Sequence, residues 1–210
     1  RLNLRPNTIE ENYELCDALT KGDDHEIMKE LGDVLLHVAF YARIGEEKSQ
    51  FDIADVCNFL TDKLIFRHPH VYGEQKVDNV EQVLDNWEQI KQREKDGNKT
   101  VLAGVPKALP SLIKAYRIQD KARHVGFDWE QREDVWNKVR EELAELEAEL
   151  KKEDRQASEQ ELGDFLFSVI NAARLYKLNP DNALEMTNQK FIRRFNYIEQ
   201  RSREMGKAMT

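Results

Sequence analysis

Residues 29–40 read KELGDVLLHVAF, and residues 160–171 read QELGDFLFSVIN. The tetrapeptide Glu-Leu-Gly-Asp opens both apolar runs, at 30–33 and again at 161–164, an offset of 131 (161 minus 30). Carried upstream without a gap, the same offset aligns 10–43 with 141–174 and leaves fifteen identities in thirty-four positions. Among them are Glu10/Glu141, Glu11/Glu142, Glu14/Glu145, Leu15/Leu146, Asp23/Asp154, Val38/Val169 and Arg43/Arg174. The chain is an internal duplication. Solenoid units repeat every 20–50 residues or so, and a period this long describes two copies of a small domain.

Periodicity around these motifs is helical. Leu31, Val34, Leu35, Val38 and Ala42 recur at three- and four-residue steps, which draws one apolar stripe along a helix. Strand-like alternation is nearly absent, and nine Gly and five Pro fall at credible joints. The pattern predicts an all-α fold of long helices and short turns, with one domain over residues 1–98, a connecting segment over 99–125 and a second domain over 126–210. The turn-rich stretch 96–110, DGNKTVLAGVPKALP, carries the boundary.

Composition narrows the function. With 40 % hydrophobic and 34 % charged residues the chain can bury a core beneath a charged surface. A formal charge of −8 argues against a general nucleic-acid binder, whose affinity rests on clustered Lys and Arg. Cys16 and Cys57 form no C-x-x-C pair and fit free thiols in a reducing, cytoplasmic compartment. No apolar stretch approaches the roughly 18 residues of a membrane span, and no signal-peptide pattern is present.

Each copy carries E-x-x-E, fifteen residues, then E-x-x-D: Glu11, Glu14, Glu30, Asp33, and Glu142, Glu145, Glu161, Asp164. Residues three apart on a helix share a face. Turn-forming residues between the pairs, Thr20 to Asp24 and Lys151 to Asp154, fold the two helices into an antiparallel hairpin with their apolar stripes facing each other. Four carboxylates drawn into one space repel, raising one another's pKa or splaying the helices, unless a cation joins them. An all-oxygen set without Cys or His selects Mg²⁺, with Mn²⁺ as substitute, over zinc. A lone E-x-x-E is ordinarily a solvated face, and Thr8-x-x-Glu11 also matches a capping box. Exact repetition of type and spacing favours the metal. A ferritin-like di-iron bundle would need Glu-x-x-His, whereas both copies have Asp. His37 becomes Ser168 in copy two and reads as a packed or capping histidine.

Downstream, KLIFR at 63–67 aligns with KFIRR at 190–194, pairing Lys63 with Lys190 and Arg67 with Arg194 at i, i+4 spacing. Lys offers a compact charge to a phosphate and Arg a bidentate fork. Copy two adds Arg193 where copy one has Phe66, and Lys138 where the offset gives Asn7, so it is the better-equipped phosphate site. The alternative for any one of these is a surface salt bridge. His68 and His70 read as a turn with packed imidazoles, Lys91 to Lys95 as a solvated helix end, and Phe127, Trp129 and Trp136 as core, with a place beside a nucleobase as the alternative.

The duplicated E-x-x-E…E-L-G-D pattern, together with RHPHVYG at 67–73, NWEQIK at 86–91, VGFDW at 125–129 and KFIRRF at 190–195, resembles the MazG nucleoside triphosphate pyrophosphohydrolases across nearly the whole chain. The resemblance implies tandem MazG-type helical-bundle domains, a homodimer, and Mg²⁺-dependent hydrolysis of NTPs and dNTPs to monophosphate and pyrophosphate. It implies that Glu142, Glu145, Glu161 and Asp164 are metal ligands and that Lys138, Lys190 and Arg194 contact the triphosphate, with Glu141 and Arg193 beside them. Copy two is then the active copy, with Glu142 or Glu145 as the candidate general base. Copy one, with Glu11, Glu14, Glu30, Asp33, Lys63 and Arg67, is either a second metal and phosphate site or a silent copy kept for dimerisation. No motif separates one base or sugar from another, so we expect breadth in both. The rival from another class is an acidic helical interaction module with no NTP turnover.

Overall fold

The computed structural model describes residues 2–73, 100–129 and 131–206, together with positions 83 and 90. The regular elements among the described residues are all helical. A 3-10 turn, Leu2–Leu4, leads into α1 (Arg5–Lys21), α2 (Asp24–Glu47), α3 (Ile53–Arg67) and a single turn α4 (Pro69–Tyr72); then follow α5 (Ser111–Arg123), α6 (Arg132–Lys152), α7 (Arg155–Leu175) and α8 (Pro180–Glu204). None of the helices described is long and apolar enough to cross a membrane. The chain divides into two compact units, Arg1–Trp87 and Glu88–Thr210.

Each unit is built on one hairpin, α1 with α2 and α6 with α7, and both hairpins turn by the same device. In the first, Gly22 takes φ +69° and donates its N–H to the carbonyl of Ala18. Asp23 then caps α2 by accepting from the N–H groups of His25 and Glu26. At the equivalent place in the second, Glu153 takes φ +59° and Asp154 accepts from Ala157 N–H. An αL residue closing one helix and an Asp capping the next satisfies the backbone groups each terminus exposes. The stretch 99–125 holds α5, whose buried Gln119 donates from Nε2 to the carbonyl of Phe167 on α7 at 2.8 Å, so this helix is part of the second unit.

Two local expectations change. The stripe Leu31, Leu35, Val38 does not face α1: these side chains are exposed, as are Leu162 and Leu166 on α7. The buried positions of α2 are Glu30, His37, Ala42 and Gly45, with Val34 and Tyr41 half-buried, so of the expected stripe only Ala42 and, in part, Val34 turn inward. Apolar residues line more than one side of α2, and the side turned to α1 is the one that carries Glu30, which leaves the other free. Thr8 is not a cap either. α1 begins at Arg5 with Pro6 in its first turn, so Thr8 lies inside the helix and its Oγ1 donates back to the carbonyl of Leu4 at 2.9 Å.

The second unit has an apolar core, Val135, Val139 and Ala172 packed on by Phe165, Val169 and Leu175. In the first unit the buried hydrophobics are only Ala18 and Ala42 among the described residues. Neither α3 nor α8 buries a single residue, although α8 carries Leu184, Phe191, Phe195 and Ile198.

Candidate functional site

The hairpins gather the acidic residues. In the second unit Glu142 and Glu145, one turn apart on α6, meet Glu161 on α7, with a carboxylate oxygen of each within 4.8 Å of the others. In the first unit Glu11 and Glu14 on α1 meet Glu30 on α2 within the same limit. Asp33 and Asp164 stand one turn further along their helices and outside these triads, Asp164 exposed and Asp33 half-buried. Asp164 is still close enough to act on Glu161, whose carboxyl is pushed up by loss of hydration first and then by Glu145, Asp164, Glu142 and Glu149. Glu14 is pushed up likewise, by loss of hydration and then by Glu30, Glu11 and Glu10. Both clusters therefore hold uncompensated like charge, which a divalent ion bound through oxygens would relieve.

A lysine partly answers that charge in each copy, from different helices. Lys138 on α6 reaches Glu141 at 2.8 Å and the buried Glu142 at 2.7 Å, and these hydrogen bonds hold its ammonium well above the usual lysine range. Lys29 on α2 reaches the buried Glu30 at 3.0 Å. Position 29 corresponds to Gln160 in copy two, and Lys138 to Asn7 in copy one. The offset alone revealed Lys138; nothing in the sequence pattern singled out Lys29.

The downstream basic residues stand on other helices than the carboxylates. Lys190, Arg193 and Arg194 are exposed on α8, where they line one groove with Tyr197 and Ile198. Among the described residues none of the three forms an ion pair. Lys63 on α3 lies over the ring of Phe59, 5.7 Å from its centroid, and Arg67 ends that helix half-buried. His68 and His70 do pack together, ring centroids 5.6 Å apart, with His68 Nδ1 donating to the carbonyl of Leu64. Lys91 to Lys95 and, apart from Ile90, the NWEQIK stretch fall outside the described residues.

Phe127, Trp129 and Trp136 are not core. They are 81 %, 39 % and 41 % exposed. What anchors their segment is a pair that periodicity did not expose: Arg174, buried at the end of α7, donates through both Nη1 and Nη2 to Asp128, and through Nε and Nη2 to Asn171 Oδ1. Trp136 Nε1 in turn donates to Tyr176 OH at 3.2 Å.

With that geometry in hand, comparison with known proteins is decisive: residues 1–72 and 131–198 match the model of the MazG nucleotide pyrophosphohydrolase domain. The chain belongs to the MazG family. The two matched segments contain the two acidic hairpins. A nucleoside triphosphate pyrophosphohydrolase of Escherichia coli K12 is 39 % identical over 211 residues, covering 99 % of this chain and 80 % of that protein. A Thermotoga maritima protein named nucleoside triphosphate pyrophosphohydrolase/pyrophosphatase MazG is 42 % identical over 199 residues, covering 94 % of this chain and 75 % of its own. This MazG-family chain thus matches its relatives across both units.

Proposed function

We propose that this chain hydrolyses nucleoside triphosphates, ribo- and deoxyribo-, to the monophosphate and pyrophosphate in a Mg²⁺-dependent reaction carried out by the second unit, with breadth in base and sugar. The observation that carries this reading is the triad Glu142, Glu145, Glu161, crowded within 4.8 Å, with an ammonium already drawn to its buried member. Relatives named for the same hydrolysis support it.

Glu142, Glu145, Glu161 and Asp164 would hold Mg²⁺, with Mn²⁺ as substitute, and the bound ion supplies neutralisation of charge developing on phosphate oxygens. The chain's own residues do the rest. Lys138, held between Glu141 and Glu142, offers its ammonium to a phosphate oxygen beside the triad. Lys190, Arg193 and Arg194, none of them ion-paired among the described residues, present three cations to the polyphosphate. Glu142 or Glu145 accepts the proton of the attacking water. Copy one, with Asn7 in place of Lys138, lacks the corresponding phosphate lysine and supplies architecture instead.

Two chains pair as a homodimer. The same positions are left bare in both copies: Leu31 and Leu162, Leu35 and Leu166, Leu36 and Phe167. Such matched apolar surface, together with the unburied apolar residues of α3 and α8, is what a partner chain would cover.

The test is pyrophosphate release from the common NTPs and dNTPs with Mg²⁺. Glu145→Gln should reduce it by about a hundred- to a thousandfold, the loss seen on removing one electrostatic catalytic group. Near-normal release in that variant would overturn the assignment. No release from the intact chain with any substrate, alongside metal-independent capture of a basic partner, would establish the interaction module instead.

A further inference from the structure

α8 carries two sides of different chemistry. Leu184, Phe191 and Phe195 lie along one of them, with the rings of Phe191 and Phe195 stacked at 6.1 Å between centroids. Lys190, Arg193, Arg194 and Tyr197 recur at steps of three and four residues and share another side, because such steps return to the same face of a helix. Together with Ile198 these four line one open groove of about 550 Å³, a size within the range of small-ligand sites. A partner chain that covers the phenylalanine side leaves Tyr197 with the cations.

Tyr197 is the odd member of that set. It is 64 % exposed, and among the described residues its ring stacks on no other and its hydroxyl makes no hydrogen bond. A phosphate chain accounts for the three cations but not for the ring. A bare aromatic face one turn beyond Arg193 and Arg194 is a surface on which a base can stack, as bases do on the aromatic side chains of proteins that bind single-stranded nucleic acid.

The internal repeat gives the control. The alignment that pairs Lys63 with Lys190 places His70 at the position of Tyr197 and Phe59 at that of Met186. In copy one Lys63 lies over the ring of Phe59, and α3 ends at Arg67, so the chain turns at Pro69 and His70 packs against His68 instead of extending the basic face. α8 runs unbroken to Glu204 and leaves Lys190 and Tyr197 exposed. The copy with the complete set of cations is also the copy that carries the ring on the same face.

We infer that Tyr197 marks the nucleoside end of the substrate groove: the base of a nucleoside triphosphate stacks on its ring, with Ile198 alongside, while Lys190, Arg193 and Arg194 hold the phosphates. The ligand's identity rests on the proposed function, and what is added is the residue that meets its base. Charge fixes the polarity, because only the phosphate end of such a ligand complements the cations. The ring offers its face to the π-face that every base has, and among the described residues the groove's lining holds no amide or carboxylate to read a base edge. Stacking of this kind admits purines and pyrimidines alike.

The probes are α,β-methylene-ATP, which cannot be cut between its first two phosphates, and inorganic tripolyphosphate, each titrated with Mg²⁺ into the full chain by calorimetry. Tyr197 is exposed, so truncating it spares the fold. Tyr197→Ala should weaken the nucleotide analogue about five- to a hundredfold and tripolyphosphate less than about twofold, and Tyr197→Phe, which keeps the ring and loses the hydroxyl, should restore the analogue. Proton NMR should show the adenine H2 and H8 resonances moved upfield by the wild type and by Tyr197→Phe but not by Tyr197→Ala. Binding is read without turnover, so the two readings fail separately: this pattern with no pyrophosphate released from ATP would overturn the reaction alone. Equal analogue affinity in wild type and Tyr197→Ala, a parallel loss of tripolyphosphate, no binding of either probe, or an effect confined to pairing of chains in sedimentation would each overturn the role of Tyr197.

Discussion

Asp128→Ala tests whether the second unit depends on the pair that pins the VGFDW segment to α7. Arg174 has a side chain 5 % exposed, and Asp128 supplies acceptors to two of its nitrogens. After the substitution only Asn171 Oδ1 remains, a neutral acceptor already used at 3.1 and 2.8 Å. Removing one partner of a fully buried pair costs about 3–5 kcal/mol because the other charge stays desolvated. Asp128 is 22 % exposed, so water can replace part of what is lost, and the expected cost falls to about 2–3 kcal/mol. For a unit of this size that lowers Tm by about 6–15 °C. Calorimetry of the full chain measures it on the second unit's transition, with the first unit's transition as internal control.

The same experiment has a pH signature. Burial pushes the Asp128 carboxyl up, but hydrogen bonds from Arg174 and Trp129 N–H and the charges of Arg174 and Arg123 outweigh it, leaving the group below its ordinary 3.8. A depressed carboxyl stabilises the fold above its unfolded pKa and loses that contribution as pH falls through the folded value. The gap between wild type and Asp128→Ala should therefore be complete at neutral pH and close below about pH 4. A Tm shift under about 2 °C at pH 7, or a gap unchanged at pH 3, would refute the reasoning.

Glu153→Gly should stabilise the second unit by about 0.5–1 kcal/mol in chemical denaturation, because relief of the left-handed conformation at φ +59° outweighs glycine's entropic cost; copy one has Gly22 there. Gly45→Ala should destabilise the first unit by about 1–3 kcal/mol, since a Cβ would sit 2.7 Å from both the Phe51 ring and its carbonyl oxygen; an unchanged melt would show that Phe51 yields. Gly163→Ala should raise the stability of an isolated chain by about 1 kcal/mol, because a Cβ there meets nothing within 4 Å, yet weaken pairing of chains in sedimentation; a dimer of unchanged affinity would refute the assigned interface.

The all-helical fold and the hairpins were legible because the signals are local: 3.6-residue periodicity, an Asp cap at the same place in both copies, and a turn between. The duplication, by holding spacing constant, singled out four carboxylates in each copy, of which three converge and Asp33 and Asp164 stand outside. What the sequence concealed was orientation. Periodicity marks Leu31 and Leu35 as one stripe but does not say what the stripe meets, and α2 is apolar on more than one side. Nor could a one-dimensional pattern link Thr8 to His37, twenty-nine positions apart, or Asp128 to Arg174, forty-six apart. Those pairs depend on the hairpin's register and on a buried network, which no periodic signal encodes.

The identities between the copies divide into two sets once the structure is known. Asp23 and Asp154 cap, which the fold of a single unit accounts for, and Glu11, Glu14 and Glu30 converge like their counterparts against their mutual repulsion, which the proposed ion accounts for. Leu31, Gly32 and Leu35, with Leu162, Gly163 and Leu166, have no such account. The leucines are about half exposed, and both glycines sit mid-helix, where they cost stability and face open space. A destabilising glycine kept between two bare leucines, in both copies, answers to something outside the unit that must approach the helix backbone closely. Bare apolar flanks repeated in both copies are the feature on which the proposed pairing with a second copy of this chain rests, because that partner's surface repeats in the same way.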